Sequence, residues 1–129
     1  MEIGIIGKQE IIVTEEKTAK AMGSGELNVF ATPAMIALME NTAYTSVADQ
    51  LESGQGTVGT LMNVKHLAAT PVGMKVTCQT KLIEIDRRRL VFEVSASDEA
   101  GLIGEGIHER FIVDNAKFQS RADAKREAK

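Results

Sequence analysis

The sequence is poor in cysteine and in large aromatic residues. Among its 129 residues it has no Trp, one Tyr and one Cys, whereas 43% of the residues are hydrophobic. A lone Cys78 cannot form an internal disulfide, which is typical of proteins from a reducing compartment. The length suits one domain, so we expect residues 1–129 to form a single domain with an aliphatic core.

Long hydrophobic runs and a basic leader are also missing. The N-terminus, MEIGIIGKQEIIV, has an acid at position 2, so no signal peptide is predicted. No stretch approaches the roughly 20 apolar residues that are needed to cross a bilayer. The net charge of −3 offers no general attraction to phosphate backbones. We therefore expect a cytoplasmic protein with neither membrane nor nucleic acid as its partner.

Several motifs that would point to other chemistry are absent. The two histidines and Cys78 lack the spacing of a metal site, so no metal is expected. There is no G-x-S-x-G elbow of the kind found in α/β-hydrolases. The glycines of GEGIHERF lie inside a predicted strand, so this stretch is not a phosphate-binding loop.

The first half of the chain has the pattern of a strand followed by helices. A strand is predicted over residues 3–13 and a short helix from Thr14. A long, largely apolar helix is predicted to begin at Thr32 and to end in ESGQG at 52–56. Thr32 is the expected N-cap and Pro33 the first helical residue, because proline lacks the N–H that would be unpaired there.

The second half has the pattern of four antiparallel strands. Turn residues divide it into strands over 57–70, 74–86, 89–98 and 102–114, which we expect to form a meander. The charged tail, about 115–129, is expected to be a solvated helix or a frayed end. The fold class is therefore α+β, with an antiparallel sheet wrapped around one long central helix. Such a sheet has open edges, which favours a dimer.

Glu40 is a carboxylate within the apolar helix. At helical spacing it shares a face with Ile36, Ala43 and Val47. Burying an unpaired carboxylate is costly, so Glu40 must be paired, protonated or directed at a polar cavity. It is either a catalytic group or a structural one that is satisfied by a nearby Asn, Thr or Arg.

His66 and Thr32 are two further candidates. Strand alternation places His66 on the same face as Thr60 and Met62, towards the helix. It can act as an acid or base there, or be a hydrogen-bonded core imidazole. Thr32 can be an N-cap alone, or a nucleophile or donor beside the helix N–H groups that suit an oxyanion.

Spacing separates Thr32 from Glu40. The eight positions between them correspond to roughly 12 Å along a helix axis. Both cannot reach one reacting carbon from the same helix. If both act in one site, a two-fold dimer in which Thr32 of one subunit faces Glu40 of the other is the simplest arrangement.

Three blocks of sequence resemble the hotdog-fold acyl-CoA thioesterases, and most closely their fluoroacetyl-CoA branch. The blocks are FATPAMIALMENTA, TVGTLMNVKHLAATPVGMKV and GEGIHERFIVD, which run from about residue 30 to 113 in the family's order. The resemblance implies a hotdog homodimer or a higher homo-oligomer that hydrolyses a small or medium acyl-CoA at its interface. Coenzyme A is then part of the substrate, and no separate cofactor is implied.

The resemblance also assigns residues. It implies that Thr32, Glu40 and His66 are catalytic, and that Gly59 and Arg110 help to place the substrate. The segment MGSGELNV before Phe30 departs from the branch, because it lacks the bulky aromatics expected over a fluoroacetyl group. Two alternatives stay open: a hotdog hydratase or dehydratase, and a non-catalytic acyl-CoA-binding module.

Overall fold

A five-stranded antiparallel sheet and one long helix make up the fold in the computed structural model, which describes residues 1–127. The sheet order is β1-β3-β4-β5-β2, and every neighbouring pair is antiparallel. The strands are β1 (Ile6–Ile12), β2 (Gln55–His66), β3 (Lys75–Asp86), β4 (Arg89–Asp98) and β5 (Gly101–Asp114). The helices are α1 (Ala19–Met22), α2 (Thr32–Val47) and α3 (Asn115–Ala124). Across residues 1–127, no helix has the length and apolar character needed to cross a membrane.

Helix α2 is the centre of the hydrophobic core. It packs against β1, β2, β3 and β4, so the expected sheet around one central helix is confirmed. The core is mainly aliphatic, and each fully buried large side chain contributes about 1.5–3 kcal/mol to folding. Its largest fully buried apolar members are Phe30, Met35, Met39, Leu82, Leu90, Phe92 and Ile103.

The predicted four-strand meander is wrong in one strand. β3, β4 and β5 are joined by hairpins as expected, but β2 pairs with β5 and β1 pairs with β3. The segment 67–74, which contains the predicted PVG turn, is not a tight hairpin. Its Thr70 carbonyl accepts from the Phe30 N–H beside the start of α2. β2 consequently lies at a sheet edge.

The tail after β5 begins as a short helix. Asp114 caps α3 by accepting a hydrogen bond from the Lys117 N–H at 3.0 Å. The side chains of this helix are exposed, in agreement with the expected solvated helix. The last two positions of the predicted tail, 128 and 129, lie outside the described residues.

Thr32 is not the N-cap of α2. That position is held by Ala31, whose backbone is extended and whose carbonyl accepts from the Met35 N–H at 3.0 Å. Thr32 is the first helical residue and Pro33 the second. The Thr32 hydroxyl is therefore not used for capping and is free to bond elsewhere.

A β-bulge in β2 changes which residues face the helix. The register with β5 shifts between Gly59 and Leu61, so Thr60 is the extra residue. Thr60 is exposed, and the expectation that it shares the inward face of His66 is wrong. Thr57 and Gly59 face the helix instead, because one extra residue reverses the alternation before the bulge.

β1 approaches α2 too closely for any side chain at Gly7. An ideal Cβ at Gly7 would lie 2.8 Å from the Thr42 carbonyl oxygen and 2.8 Å from Ser46 Cβ. We expect Gly7→Ala to lower the free energy of unfolding by about 1–3 kcal/mol, because the strand must move off the helix. Urea denaturation measures this difference.

Gly25→Ala is the matched control for this prediction. Its added methyl would meet only Ala19 Cβ, at an ordinary 3.4 Å. It should change the free energy of unfolding by less than about 1 kcal/mol. Equal stability of the Gly7→Ala and Gly25→Ala proteins would contradict the close approach of β1 to α2.

Candidate active site

Thr32 and His66 form one direct pair. The Thr32 Oγ1 at the start of α2 lies 2.8 Å from His66 Nδ1 at the end of β2. The edge of the Phe30 ring meets His66 with 6.5 Å between centroids, which fixes the plane of the imidazole. A cavity of about 270 Å³ opens beside the pair. Its other lining residues are small or apolar: Ala19, Ser24, Val29, Leu67, Ala68 and Ala69.

The surroundings of His66 favour the neutral imidazole. Burial lowers the pKa of His66, and the Ala68 backbone only partly opposes this fall. Its Nε2 makes no hydrogen bond within the described part of the chain. A neutral His66 with a bare Nδ1 accepts the hydroxyl proton of Thr32, and its proton then lies on Nε2.

Glu40 belongs to a second cluster, two helical turns further along α2. Its Oε2 lies 3.4 Å from Arg110 Nη1. An ideal Cβ at Gly59 would lie only 2.5 Å from the same Oε2. Gly59 therefore lets the carboxylate lie close to β2, and a side chain at this position would displace the carboxylate oxygen. The predicted Glu40, Gly59 and Arg110 thus meet at one place.

Glu40 is less buried than its apolar helix suggested. Its side chain is 44% exposed, whereas that of its partner Arg110 is 7% exposed. The reason is that Ala43 and Val47 on its face are buried but Tyr44 is 45% exposed, so Glu40 lies at the edge of the core. One oxygen meets Arg110, and the carboxylate still reaches solvent, where a substrate can approach it.

Arg110 is the buried cation of the second cluster, and all sides of its guanidinium are engaged. Its Nε donates to Thr57 Oγ1 at 2.8 Å and its Nη2 donates to the Thr57 carbonyl at 2.9 Å. The Tyr44 ring covers it, with 5.7 Å from Cζ to the ring centroid. Burial lowers the pKa of Arg110 and Glu40 opposes this, so the guanidinium remains charged.

His108 is the last member of the second cluster. Its Nδ1 lies 2.8 Å from the Leu61 carbonyl, and its Nε2 lies 3.1 Å from Arg110 Nη1. A carbonyl only accepts, so the His108 proton is on Nδ1 and Nε2 accepts from Arg110. Burial lowers the pKa of His108; the Leu61 hydrogen bond opposes this fall, and the Arg110 charge adds to it.

Sequence patterns did not identify His108, Thr57 or Tyr44 as site residues. His108 bonds to the Leu61 carbonyl directly after the bulge in β2, and Thr57 faces Arg110 because the bulge reverses the alternation before it. The bulge has no signature in the alternation of residues itself. Tyr44 had a signal, because it follows Glu40 by one helical turn. Three consecutive arginines, residues 87–89, lie at the tip of the β3–β4 hairpin, and Arg89 pairs there with Glu84 and Glu109.

The two clusters remain separate within one chain. No hydrogen bond in residues 1–127 joins the Thr32–His66 pair to the Glu40–Arg110 cluster. Thr32 and Glu40 are roughly 12 Å apart along the axis of α2. Gly59 and His66 are roughly 23 Å apart along β2. The structure thus brings the five predicted residues into a pair and a group of three.

Comparison with known proteins gives this geometry a context. The family described as FlK, fluoroacetyl-CoA-specific thioesterase, matches residues 13–116. A fluoroacetyl-CoA thioesterase from Streptantibioticus cattleyicolor is 42% identical over 97 residues, which are 75% of this chain and 70% of that protein. Both candidate clusters lie within the matched range.

Solved structures agree with the fold. A structure of the fluoroacetyl-CoA thioesterase FlK has a TM-score of 0.92 and 37% identity, with 97% of each chain covered. A hot-dog-like protein from Thermanaerovibrio acidaminovorans has a TM-score of 0.88 at 22% identity, covering 97% of this chain and 93% of that one. The arrangement of sheet and helix is therefore the hotdog fold.

The two histidines should hold their protons on opposite nitrogens. With both imidazoles neutral, we expect ¹⁵N NMR to show His66 protonated on Nε2 and His108 protonated on Nδ1. The pKa of each should lie below 6.5. The chain has only two histidines, so two ring signals suffice. Thr32→Val should move the His66 signals and leave those of His108 unchanged. The same tautomer in both rings would contradict the assignment.

Proposed function

The chain belongs to the fluoroacetyl-CoA-specific thioesterase family and is an acyl-CoA thioesterase, and we propose that its substrate is a small or medium acyl-CoA cleaved between two subunits. In the net reaction water adds its oxygen to the thioester carbonyl carbon. The carbon–sulfur bond breaks, and the products are a free acid and the CoA thiol. The leaving thiol has a pKa near 8.5, so the demanding tasks are supplying the nucleophile and stabilising the oxyanion.

The 2.8 Å contact between Thr32 Oγ1 and His66 Nδ1 carries this proposal. It is the arrangement of a hydroxyl nucleophile and its general base. The Thr32 oxygen attacks the carbonyl carbon as its proton moves to His66 Nδ1. Collapse of the adduct expels CoA thiolate, which takes up a proton, and leaves an acyl ester on Thr32. Water then hydrolyses that ester.

Glu40 supplies a base for the water step. Its carboxylate is half-exposed, and Arg110 holds one of its oxygens. The carboxylate can remove a proton from water that attacks the acyl ester, or it can itself attack the thioester. Mass spectrometry of the acyl-enzyme separates these routes, because the label would be on Thr32 in the first and on Glu40 in the second.

The start of α2 suits the developing oxyanion. The first intrahelical bond runs from the Met35 N–H to the Ala31 carbonyl, so the N–H groups of Thr32 and Ala34 precede it. Such N–H groups at a helix start, with the positive end of the helix dipole, stabilise negative charge. They flank the hydroxyl that we assign as the nucleophile.

A dimer through β2 would unite the two clusters. β2 is an edge strand of 12 residues. Leu61 within it is 44% exposed, and Leu67 in the loop that follows is 53% exposed. In the proposed dimer, β2 of one subunit pairs antiparallel with β2 of the other, about a two-fold axis that passes between Met62 and Asn63. This axis lies halfway along the strand between Gly59 and His66. His66 of each subunit then lies beside Gly59 of the other. Glu40 and Thr32 of opposite subunits come together at both ends.

The acyl group is expected to be small or medium in length. The cavity beside Thr32 and His66 holds about 270 Å³, and its walls are largely aliphatic. The segment 22–29 contributes no aromatic side chain over it. We therefore propose an apolar acyl group as substrate rather than fluoroacetyl alone.

A thiol-release assay over a series of acyl-CoA chain lengths tests the proposed site. We expect Glu40→Gln and His66→Ala to lower kcat about 100-fold or more, because each removes an acid or base. Glu93→Gln, an exposed carboxylate on β4, is the matched control and should keep full activity. Melting temperatures check that each protein is folded.

Other outcomes would point to the alternative functions. Tight acyl-CoA binding without thiol release would favour a binding module. Addition of water across an enoyl-CoA double bond without thiol release would favour a hydratase. Full activity in both variants would contradict the assignment of Glu40 and His66.

Mixed dimers test whether the site is shared. A dimer of one Thr32→Ala and one Glu40→Gln subunit has one intact composite site, so it should recover about half of the wild-type activity per dimer. If both residues act within one chain, mixing restores nothing. If the unmixed Thr32→Ala protein is still active, His66→Ala subunits are mixed with Glu40→Gln subunits instead.

A further inference from the structure

His108 is a buried titratable residue that the proposed reaction does not use. It is 1% exposed and lies on β5, opposite Met62 of β2 and Phe92 of β4. The Phe92 ring stacks on it with 6.2 Å between centroids. Because the ring is almost completely buried, it has no direct access to a substrate.

The first hydrogen bond of His108 holds the bulge of β2. Its Nδ1 donates to the Leu61 carbonyl at 2.8 Å, directly after the extra residue Thr60. On the other side of Thr60, an ideal Cβ at Gly59 would lie 3.3 Å from His108 Cε1 and 2.5 Å from Glu40 Oε2. The imidazole therefore supports the strand at the point where it passes the Glu40 carboxylate.

The second hydrogen bond of His108 holds Arg110. Arg110 Nη1 donates to His108 Nε2 at 3.1 Å and reaches Glu40 Oε2 at 3.4 Å. Thr57 holds the opposite side of the guanidinium through Nε and Nη2. Without His108, Nη1 keeps Glu40 as its one hydrogen-bond partner among residues 1–127.

We infer that His108 is a positioning residue, which fixes Arg110 and the β2 bulge beside Gly59 at their distances from Glu40 without contacting the substrate. This inference rests on the proposed role of Glu40. It assigns to the neutral Nδ1–H imidazole a task that neither a charged nor an apolar side chain can perform, because one ring must donate to a carbonyl and accept from a guanidinium.

Protonation of His108 would undo this arrangement. A second N–H, on Nε2, would then face Arg110 Nη1, donor against donor with two positive charges. The charges that act on the ring are those of Arg110 and Glu40, which lie on its side of the sheet, and of Glu109, whose side chain pairs with Arg89, while Met62 and Phe92 contribute only apolar surface. Arg110 is expected to turn away from His108, and Glu40 to lose its fixed partner.

Three substitutions separate the two hydrogen bonds. His108→Phe keeps a ring against Phe92 and removes both bonds. His108→Gln can place an amide oxygen near the Nε2 position and accept from Arg110, whereas His108→Asn can place its amide near the Nδ1 position and donate to Leu61. Phe92→Leu is the matched control, because it loosens the same buried stack and leaves Arg110 its partners.

The expected result is a loss of kcat with little change in KM. We expect kcat of His108→Phe to fall about 10- to 100-fold, as for a small displacement of a catalytic group, with KM within about 3-fold. His108→Gln should recover most of the loss and His108→Asn little of it. Below pH 6.5, His108→Gln should lose activity less steeply than the wild type, because His66 is then the one histidine left to protonate. Phe92→Leu should lower the melting temperature and leave kcat nearly unchanged.

The Arg110 Nη1–H signal in NMR gives a readout independent of turnover, because Nη1 is the atom that donates to His108. It should exchange faster with water in folded His108→Phe than in the wild type, and the Gln variant should restore its protection. Unchanged exchange together with unchanged kcat in the Phe and Asn variants would overturn the inference and leave the proposed function intact. If the wild type releases no thiol from any acyl-CoA, the proposed function fails, and the Arg110 signal alone decides whether His108 positions it.

Discussion

A guanidinium that is almost fully buried needs a partner for its charge and for its N–H groups, because an unpaired buried charge would be very costly. Arg110 meets this requirement with Thr57 of β2, His108 of β5 and Glu40 of α2. Three elements of the fold are therefore held at one point. Glu40 alone among these partners remains half-exposed, so the interaction that satisfies the arginine also orients a carboxylate towards solvent.

The position of Arg110 also explains why the candidate site is divided. It lies beside Gly59, near the first half of β2, and so captures Glu40 two turns into α2. The start of α2 meets the other end of β2, where Thr32 bonds His66. One strand thus has a different cluster at each end. Antiparallel pairing with a second copy, as proposed, would place the Thr32–His66 pair of one subunit beside the Glu40–Arg110 cluster of the other.

The sequence predicted the parts of this structure that have a long, regular pattern. The strand at 89–98 has its predicted bounds, and α2 begins at Thr32, one residue before Pro33, which was expected as its first helical residue. Details that depend on distant partners were not predictable. A threonine at the N-cap and one at the first helical position look alike in sequence. What distinguishes them here is His66, 34 residues further on. The bulge at Thr60 likewise reverses strand alternation, and its one local signal is the glycine before it, Gly59.

His108 shows the same limit at the level of one side chain. In GEGIHERF the alternation places the apolar Ile107 and Phe111 on the face opposite to His108, so the sequence pattern gives no indication that His108 is buried. Its partners decide its chemistry: a backbone carbonyl at Nδ1 makes it a donor there and an acceptor towards Arg110. His66, with a hydroxyl at Nδ1, is expected to accept at the same atom. Two identical side chains in one fold are therefore expected to perform opposite tasks, because a carbonyl only accepts whereas a hydroxyl can donate.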